Sequence, residues 1–137
     1  MCKVTDRFFN EVNLLRQETR DGYILFVDDD KGTQAMFKRI AGQYGYETKG
    51  ASNVSEARNL IVNDVKNIRC AVIDLHLGNE SGEDVIRFIE GEAGELPYVV
   101  YTGDAVAGSD ISKKHRRAIV IYKTEEIDNL LQALGII

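Results

Sequence analysis

Short apolar runs alternate with amphipathic stretches along most of this chain. Residues 23–27 form a continuous apolar run, which is typical of a strand that is covered on both faces of a sheet. Apolar residues then recur at helical spacing from Met36 to Tyr44, and Gly45 is a natural end for that helix. A weaker second strand is expected over residues 46–51.

The alternation continues through the middle of the chain. Asn53, with Glu56 three residues later, predicts a capped amphipathic helix. Residues 68–73 predict a third strand, which a short helix follows. Pro97 stands at the start of a fourth strand, residues 98–101. At that position the missing N–H of proline disturbs the hydrogen bonding of the sheet least.

The last part of the chain contains a weak helix signal and a strong one. Residues 104–117 are rich in Gly, Ser and Asp, so any helix there is expected to be short or mobile. Residues 118–122 predict a fifth strand, after which Thr124 is expected to cap an amphipathic final helix. Five repeats of strand and helix predict an α/β fold with a parallel central sheet.

Composition narrows the class of protein. The 137 residues suffice for one domain, and 44% apolar with 28% charged residues is the mixture of a soluble globular protein. The net charge of −5 is unfavourable for direct nucleic-acid binding, and no apolar run is long enough to cross a membrane. The two cysteines are too few for a disulfide framework. We expect a cytoplasmic domain.

Polar residues follow the apolar strands directly at four of the five strand ends. Residues 28–30 are acidic and follow the first strand, and Asp74, Thr102 and Lys123 follow the last three. Because parallel strands end at one edge of a sheet, these groups are expected to converge there. Carboxylates about 4 Å apart repel by roughly 4 kcal/mol at an effective dielectric of about 20, which a hard cation such as Mg²⁺ relieves. A cation, an ammonium and a hydroxyl together indicate phosphoryl transfer to a carboxylate.

Four segments resemble, in order and in spacing, the receiver domains of bacterial response regulators. These segments are residues 24–30, 71–82, 99–103 and 119–123. The resemblance covers residues 21–137 and implies a doubly wound, flavodoxin-like (βα)5 fold whose five parallel strands lie in the order 2-1-3-4-5. Residues 1–20 lie outside it and are expected to form a helical N-terminal extension.

The resemblance implies that Asp74 is the phosphoacceptor of a two-component system. Asp28, Asp29 and Asp74, with the backbone carbonyl of His76, would bind Mg²⁺ or, in its place, Mn²⁺. The phosphoryl donor would be a histidine kinase or a histidine phosphotransfer protein. The protein would be a switch rather than an enzyme, with at most slow autodephosphorylation.

The resemblance also assigns roles to residues around the acceptor. Thr102 and Lys123 would contact the phosphoryl group, whereas the side chains of His76 and Asp104 would tune the lifetime of the phosphate. Phosphorylation would alter the face made by the fourth helix, fifth strand and fifth helix, where a downstream protein or a second copy would bind. Val120 stands where the family has its switch aromatic.

The bond before Thr124 is expected to be trans, because the proline usual after the family's lysine is absent. Two other functions remain open at this point. One is a receiver-like interaction module that is never phosphorylated, and the other is a haloacid-dehalogenase-like phosphatase with Asp28 as nucleophile and Asp30 as acid/base.

Overall fold

Five parallel strands form the central sheet of the computed structural model, which describes residues 22–137. The strands are β1 (Tyr23–Val27), β2 (Glu47–Ala51), β3 (Ile68–Ile73), β4 (Tyr98–Thr102) and β5 (Ile119–Tyr122). Their spatial order is β2-β1-β3-β4-β5, with all four pairings parallel. The order expected from the sequence is confirmed. The extension expected over residues 1–20 lies outside the described residues.

A helix follows each strand and covers one face of the sheet. The helices are α1 (Lys31–Gln43), α2 (Val54–Asp64), α3 (Glu83–Glu92), α4 (Ala105–Lys114) and α5 (Ile127–Ala133). Residues of α2, α3 and α4 share one hydrophobic core with the sheet, and residues of α1 and α5 share the other. The sheet is therefore doubly wound.

Strand β1 shows why its sequence is a continuous apolar run. Successive side chains of a strand point to opposite faces, so Leu25 lies in the core under α2, α3 and α4, whereas Phe26 lies in the opposite core. Phe26 stacks on Phe37 of α1 with 4.5 Å between ring centroids. Both side chains are almost completely buried. A strand buried on two sides has no place for the alternating polar residues of a half-exposed strand.

The caps of the helices confirm one sequence prediction and correct another. The Asn53 side chain accepts a hydrogen bond from the Glu56 N–H at 2.8 Å, as its spacing predicts. The prediction that Thr124 caps the last helix was wrong, because α5 begins at Ile127. Glu125 occupies the intervening turn, and its carboxylate accepts from the Tyr122 N–H at 3.3 Å.

Helix α4 is longer than its composition suggested. It extends over ten residues and begins with a strong cap, since the Asp104 carboxylate accepts from both the Val106 and Ala107 N–H groups at 3.0 Å. Lys113 and Lys114 lie in its last turn, where positive charge stabilises the helix dipole. Capping and charge thus offset the weak helix propensity of the interior.

The backbone between residues 22 and 137 contains no cis peptide bond, so the Lys123–Thr124 bond is trans as expected. None of the helices in this part of the chain has the length and apolarity that crossing a membrane requires.

Candidate functional site

Two buried carboxylates lie side by side at the carboxyl edge of the sheet. Asp28 follows β1 and Asp74 follows β3, and their side chains are only 2% and 8% exposed. The sheet fixes both positions, because the Asp28 N–H donates to Ala51 O and the Asp74 N–H donates to Val27 O, each at 2.9 Å. The hydrogen-bonding pattern of the sheet thus continues one residue past each strand and holds the two acids together.

Lys123 bridges these two carboxylates. Its Nζ donates to Asp28 Oδ2 at 2.8 Å and to Asp74 Oδ2 at 3.0 Å. Its backbone N–H donates to Thr102 O at 2.8 Å, so the end of β5 is tied to the end of β4. The ammonium therefore sits at a fixed position between two negative charges, which its own charge does not fully neutralise.

Burial and charge shift the pKa values within this group. Burial raises the pKa of the Asp74 carboxyl, and the nearby negative charge of Asp28 adds to the rise, while Lys123 opposes it without cancelling it. Burial lowers the pKa of Lys123, but the hydrogen bonds and charges of both carboxylates outweigh burial and the pKa is raised. Lys123 is therefore charged at neutral pH, and added positive charge near Asp74 favours the ionised form of its carboxyl group.

Asp29 completes an acidic group that is suited to a divalent cation. One carboxylate oxygen each from Asp28, Asp29 and Asp74 lies within 4.8 Å of the others. Asp29 is exposed and its Oδ2 accepts from the Gly78 N–H at 2.9 Å, which orients it toward the loop after β3. Three carboxylates against one ammonium leave two negative charges uncompensated. Oxygen ligands and that charge fit a hard divalent cation such as Mg²⁺.

Thr102 lies at the end of β4, beside this group, and is completely buried. Its hydroxyl oxygen accepts from the Asp104 N–H at 3.1 Å. The next polar contact bridges two loops, because His76 Nε2 and Asp104 Oδ2 are 2.7 Å apart. His76 and Asp104 therefore lie together beside the acidic group. The backbone N–H of His76 donates to Asp74 Oδ1 at 3.4 Å.

Gly82 and Gln34 contact the backbone of the two buried aspartates, and of the two only Gly82 belongs to a segment that the sequence analysis singled out. Gly82 is packed so closely on the backbone carbonyl of Asp74 that a Cβ atom would collide with it. Gln34 of α1 donates from Nε2 to the Asp28 backbone oxygen at 2.6 Å. A glycine after the acidic strand was a visible signal in the sequence, whereas a single glutamine on a helix carries none.

The structure brings Asp28, Asp29, Asp74, Thr102 and Lys123 together as the strand ends predicted. Asp30 does not join them. Its two carboxylate oxygens accept from the Gly32 N–H at 3.1 Å and the Thr33 hydroxyl at 2.7 Å, which makes it the N-cap of α1. The phosphatase alternative needed Asp30 as acid/base beside Asp28, and this capping role does not support it.

The fold and the site together define an open, doubly wound α/β protein with three clustered aspartates and a fixed lysine at the carboxyl edge of its sheet. Residues 24–135 match the family model of the response regulator receiver domain, and the chain belongs to this family. Receiver domains are phosphoacceptor switches rather than turnover enzymes, and they interact with histidine kinases and downstream effectors.

Several known proteins are similar to this chain in sequence or in structure. The chain is 30% identical over 115 residues to the acid tolerance regulatory protein ActR of Sinorhizobium medicae, a match that covers 83% of this chain but only 58% of ActR. A receiver protein from Pseudomonas putida is 26% identical with a TM-score of 0.75, over 84% of this chain and 96% of that one. A Burkholderia pseudomallei response regulator was solved with a phosphorylated aspartic acid, a calcium ion and citrate. It is 26% identical with a TM-score of 0.71, and the match covers 83% of this chain and 66% of that one.

Proposed function

We propose that Asp74 accepts a phosphoryl group from a phosphohistidine of a histidine kinase or histidine phosphotransfer protein. A carboxylate oxygen of Asp74 attacks phosphorus, the P–N bond to the donor histidine breaks, and an acyl phosphate forms on Asp74. The observation that carries this proposal is the single ammonium of Lys123, which contacts both Asp28 and Asp74 next to a third carboxylate.

Asp28, Asp29 and Asp74 are the side chains that hold Mg²⁺ in this proposal, with the carbonyl of His76 as a backbone ligand. The cation supplies charge neutralisation for the phosphoryl oxygens when it is bound. The two uncompensated negative charges of the group support this assignment, as does the calcium ion in the Burkholderia pseudomallei relative. Mn²⁺ offers the same hard oxygen chemistry.

Lys123 and Thr102 stabilise the transferred group from the protein side. Lys123 Nζ is already 3.0 Å from Asp74 Oδ2, so a small displacement lets it pair with a phosphoryl oxygen instead. Among residues 22–137 the Thr102 hydroxyl makes one hydrogen bond, which it accepts from the Asp104 N–H, and it therefore keeps its own proton for donation to the phosphoryl group. A fixed cation and a hydroxyl donor are what a phosphoryl transition state requires.

His76 and Asp104 set the lifetime of the phosphate. Their side chains are in contact at 2.7 Å across the loops that follow β3 and β4, at the exposed side of the acceptor. In this proposal the pair flanks the route by which water attacks the acyl phosphate. Replacing either residue by alanine is expected to speed loss of phosphate.

Phosphorylation alters the face formed by α4, β5 and α5, which binds a downstream protein or a second copy of the chain. The link to this face runs through Thr102, whose hydroxyl is bonded to the N-cap residue of α4, Asp104. Residues 21–137 form the receiver in this proposal, and residues 1–20 form an extension outside it.

The test is to incubate the protein with Mg²⁺ and acetyl phosphate and to record its intact mass. One added phosphoryl group is expected on the wild type and on Asp110→Asn, which alters an exposed aspartate of α4. Asp74→Ala is expected to gain none. Omission of Mg²⁺ or its removal with a chelator is expected to abolish the adduct.

Two outcomes would contradict the proposal. A wild type that gains no adduct and binds no beryllofluoride in the presence of Mg²⁺ would be an interaction module that works without phosphate. An adduct that persists in Asp74→Ala would place the acceptor elsewhere. The beryllofluoride measurement separates a true lack of reaction from an acyl phosphate that hydrolyses too quickly to be detected.

A further inference from the structure

A second group of charged residues lies away from the phosphoacceptor site, where the end of α4 meets α3. His115 follows the last turn of α4 and is only 9% exposed. Its Nδ1 is 2.8 Å from Glu90 Oε1, and its Nε2 is 2.9 Å from Glu83 Oε2. Both carboxylates belong to α3, so one imidazole ring joins the two helices.

The geometry requires a particular protonation state. A carboxylate only accepts hydrogen bonds, so both ring nitrogens of His115 have to donate, and only the imidazolium carries two N–H groups. Loss of the proton removes one charge-assisted hydrogen bond and turns a nitrogen lone pair toward a carboxylate. The contact between the helices is therefore strong when His115 is charged and weak when it is neutral.

The surrounding charged and titratable groups modify this contact but do not replace it. Arg87 of α3 lies 3.2 Å from Glu83, and Lys114 of α4 lies 4.0 Å from it. The Tyr98 hydroxyl donates to Glu90 at 2.6 Å, and Arg117 stacks on the Tyr98 ring. Burial lowers the pKa of His115, but the hydrogen bonds and charges of its two glutamates outweigh burial and raise it above the ordinary 6.5.

We propose that His115 is a proton-dependent latch that holds the end of α4 against α3. The proposal does not depend on phosphorylation, since every contact in the latch exists in the protein without phosphate. Because the folded state binds the proton more tightly, the stabilisation is fully present below pH 6.5 and is lost as the pH rises through the raised value. The end of α4 is then released once the pH exceeds the raised pKa of His115.

The direct test is an NMR titration of the imidazole signals in the wild-type protein. The chain contains two histidines, and His115→Gln identifies the signal of His115 by its disappearance. The His115 signal is expected to titrate above pH 6.5. A midpoint at or below 6.5 would overturn the proposal. If His115→Gln does not fold, the signal of His115 is assigned in the wild-type protein by NMR experiments that link the ring to the backbone.

The consequence for α4 is measured by amide hydrogen exchange. The ratio of exchange in residues 105–114 to exchange in residues 54–64 of the same molecule removes the intrinsic effect of pH. This ratio is expected to rise by about tenfold between pH 6 and a pH above the His115 midpoint, the factor that loss of one hydrogen bond to a charged group produces. His115→Gln is expected to show the higher ratio at every pH.

Arg116→Gln is the matched control, because it removes an exposed charge from the adjacent position. It is expected to retain the pH dependence of the wild type. A ratio that stays constant with pH in the wild type, or that changes equally in His115→Gln, would show that His115 does not latch α4.

Discussion

Replacement of Gly82 by alanine tests whether the loop after β3 is packed as tightly as the structure indicates. Gly82 is buried, and its backbone angles of φ −62° and ψ −18° are ones that alanine adopts readily. Any loss of stability therefore comes from contacts of the added methyl group in the folded state and not from backbone strain. That group would collide with the Asp74 carbonyl oxygen and lie 2.9 Å from the Asp74 carbonyl carbon and 3.0 Å from Leu75 Cα.

All three neighbours of this methyl group are backbone atoms, so no side chain is able to rotate away. Overpacking of this kind costs about 1–3 kcal/mol. Alanine also restricts the unfolded chain, which returns about 0.4–1 kcal/mol. The net loss of unfolding free energy is about 1–2 kcal/mol, which corresponds to a fall in Tm of roughly 3–8 °C for a domain of this size.

The assay is thermal unfolding followed by circular dichroism, with Gly91→Ala as the matched control. Gly91 lies in α3, is exposed, and has no atom within 4 Å of the position of an added Cβ. Gly91→Ala is expected to raise the stability by about 0.5 kcal/mol through helix propensity. If Gly82→Ala unfolds at or above the Tm of Gly91→Ala, the close packing on Asp74 does not exist and the reasoning is wrong.

Three further changes test the charged site and a helix cap. Lys123→Ala leaves Asp28 and Asp74 buried without their counter-charge and is expected to cost about 2–3 kcal/mol at pH 7 in urea unfolding. This deficit is expected to shrink as the pH falls through the raised pKa of Asp74, because a neutral carboxyl needs no counter-charge; a deficit that grows in acid would contradict it. Saturating Mg²⁺ is expected to raise the Tm of the wild type but not of Asp29→Asn, and equal shifts in both would exclude Asp29 as a ligand. Asn53→Ala is expected to lower the unfolding free energy by about 1 kcal/mol through loss of the α2 cap, and an unchanged value would show that the cap contributes nothing.

The fold and most of the site could be predicted because they depend on local patterns. A strand that is buried on both faces has to be apolar throughout, and a polar residue directly after such a run has to lie at the edge of the sheet. Asp28, Asp74 and Lys123 each come directly after a strand, and Thr102 is the last residue of its strand. The parallel topology then brings these residues together, although they are far apart along the chain.

The contacts that the sequence did not predict depend on long-range packing. His115 lies within residues 113–117, five consecutive basic residues of the kind found in solvated loops, yet its ring is buried between two glutamates that precede it by 32 and 25 residues. Neither the burial nor the pairing has a signature in local spacing. The bond from Gln34 to the Asp28 backbone oxygen spans only six residues, but a single glutamine on a helix has no signature in local spacing either.

The glycine content of α4, which made that helix look weak, has a reason in packing. Tyr122 follows Val120 by two residues and therefore lies on the same face of β5, in register with Thr102 of β4. A Cβ atom on Gly108 would lie 2.7 Å from the Tyr122 hydroxyl oxygen and 2.8 Å from Cε1, so the ring occupies the space that a larger residue of α4 would fill. An aromatic contact between β5 and α4 is thus made at Tyr122, two residues after the position where the family resemblance places it. Glycine in a helix interior costs about 0.5–1 kcal/mol of stability relative to alanine. In α4 the glycine at position 108 leaves the space that the Tyr122 ring occupies next to Thr102.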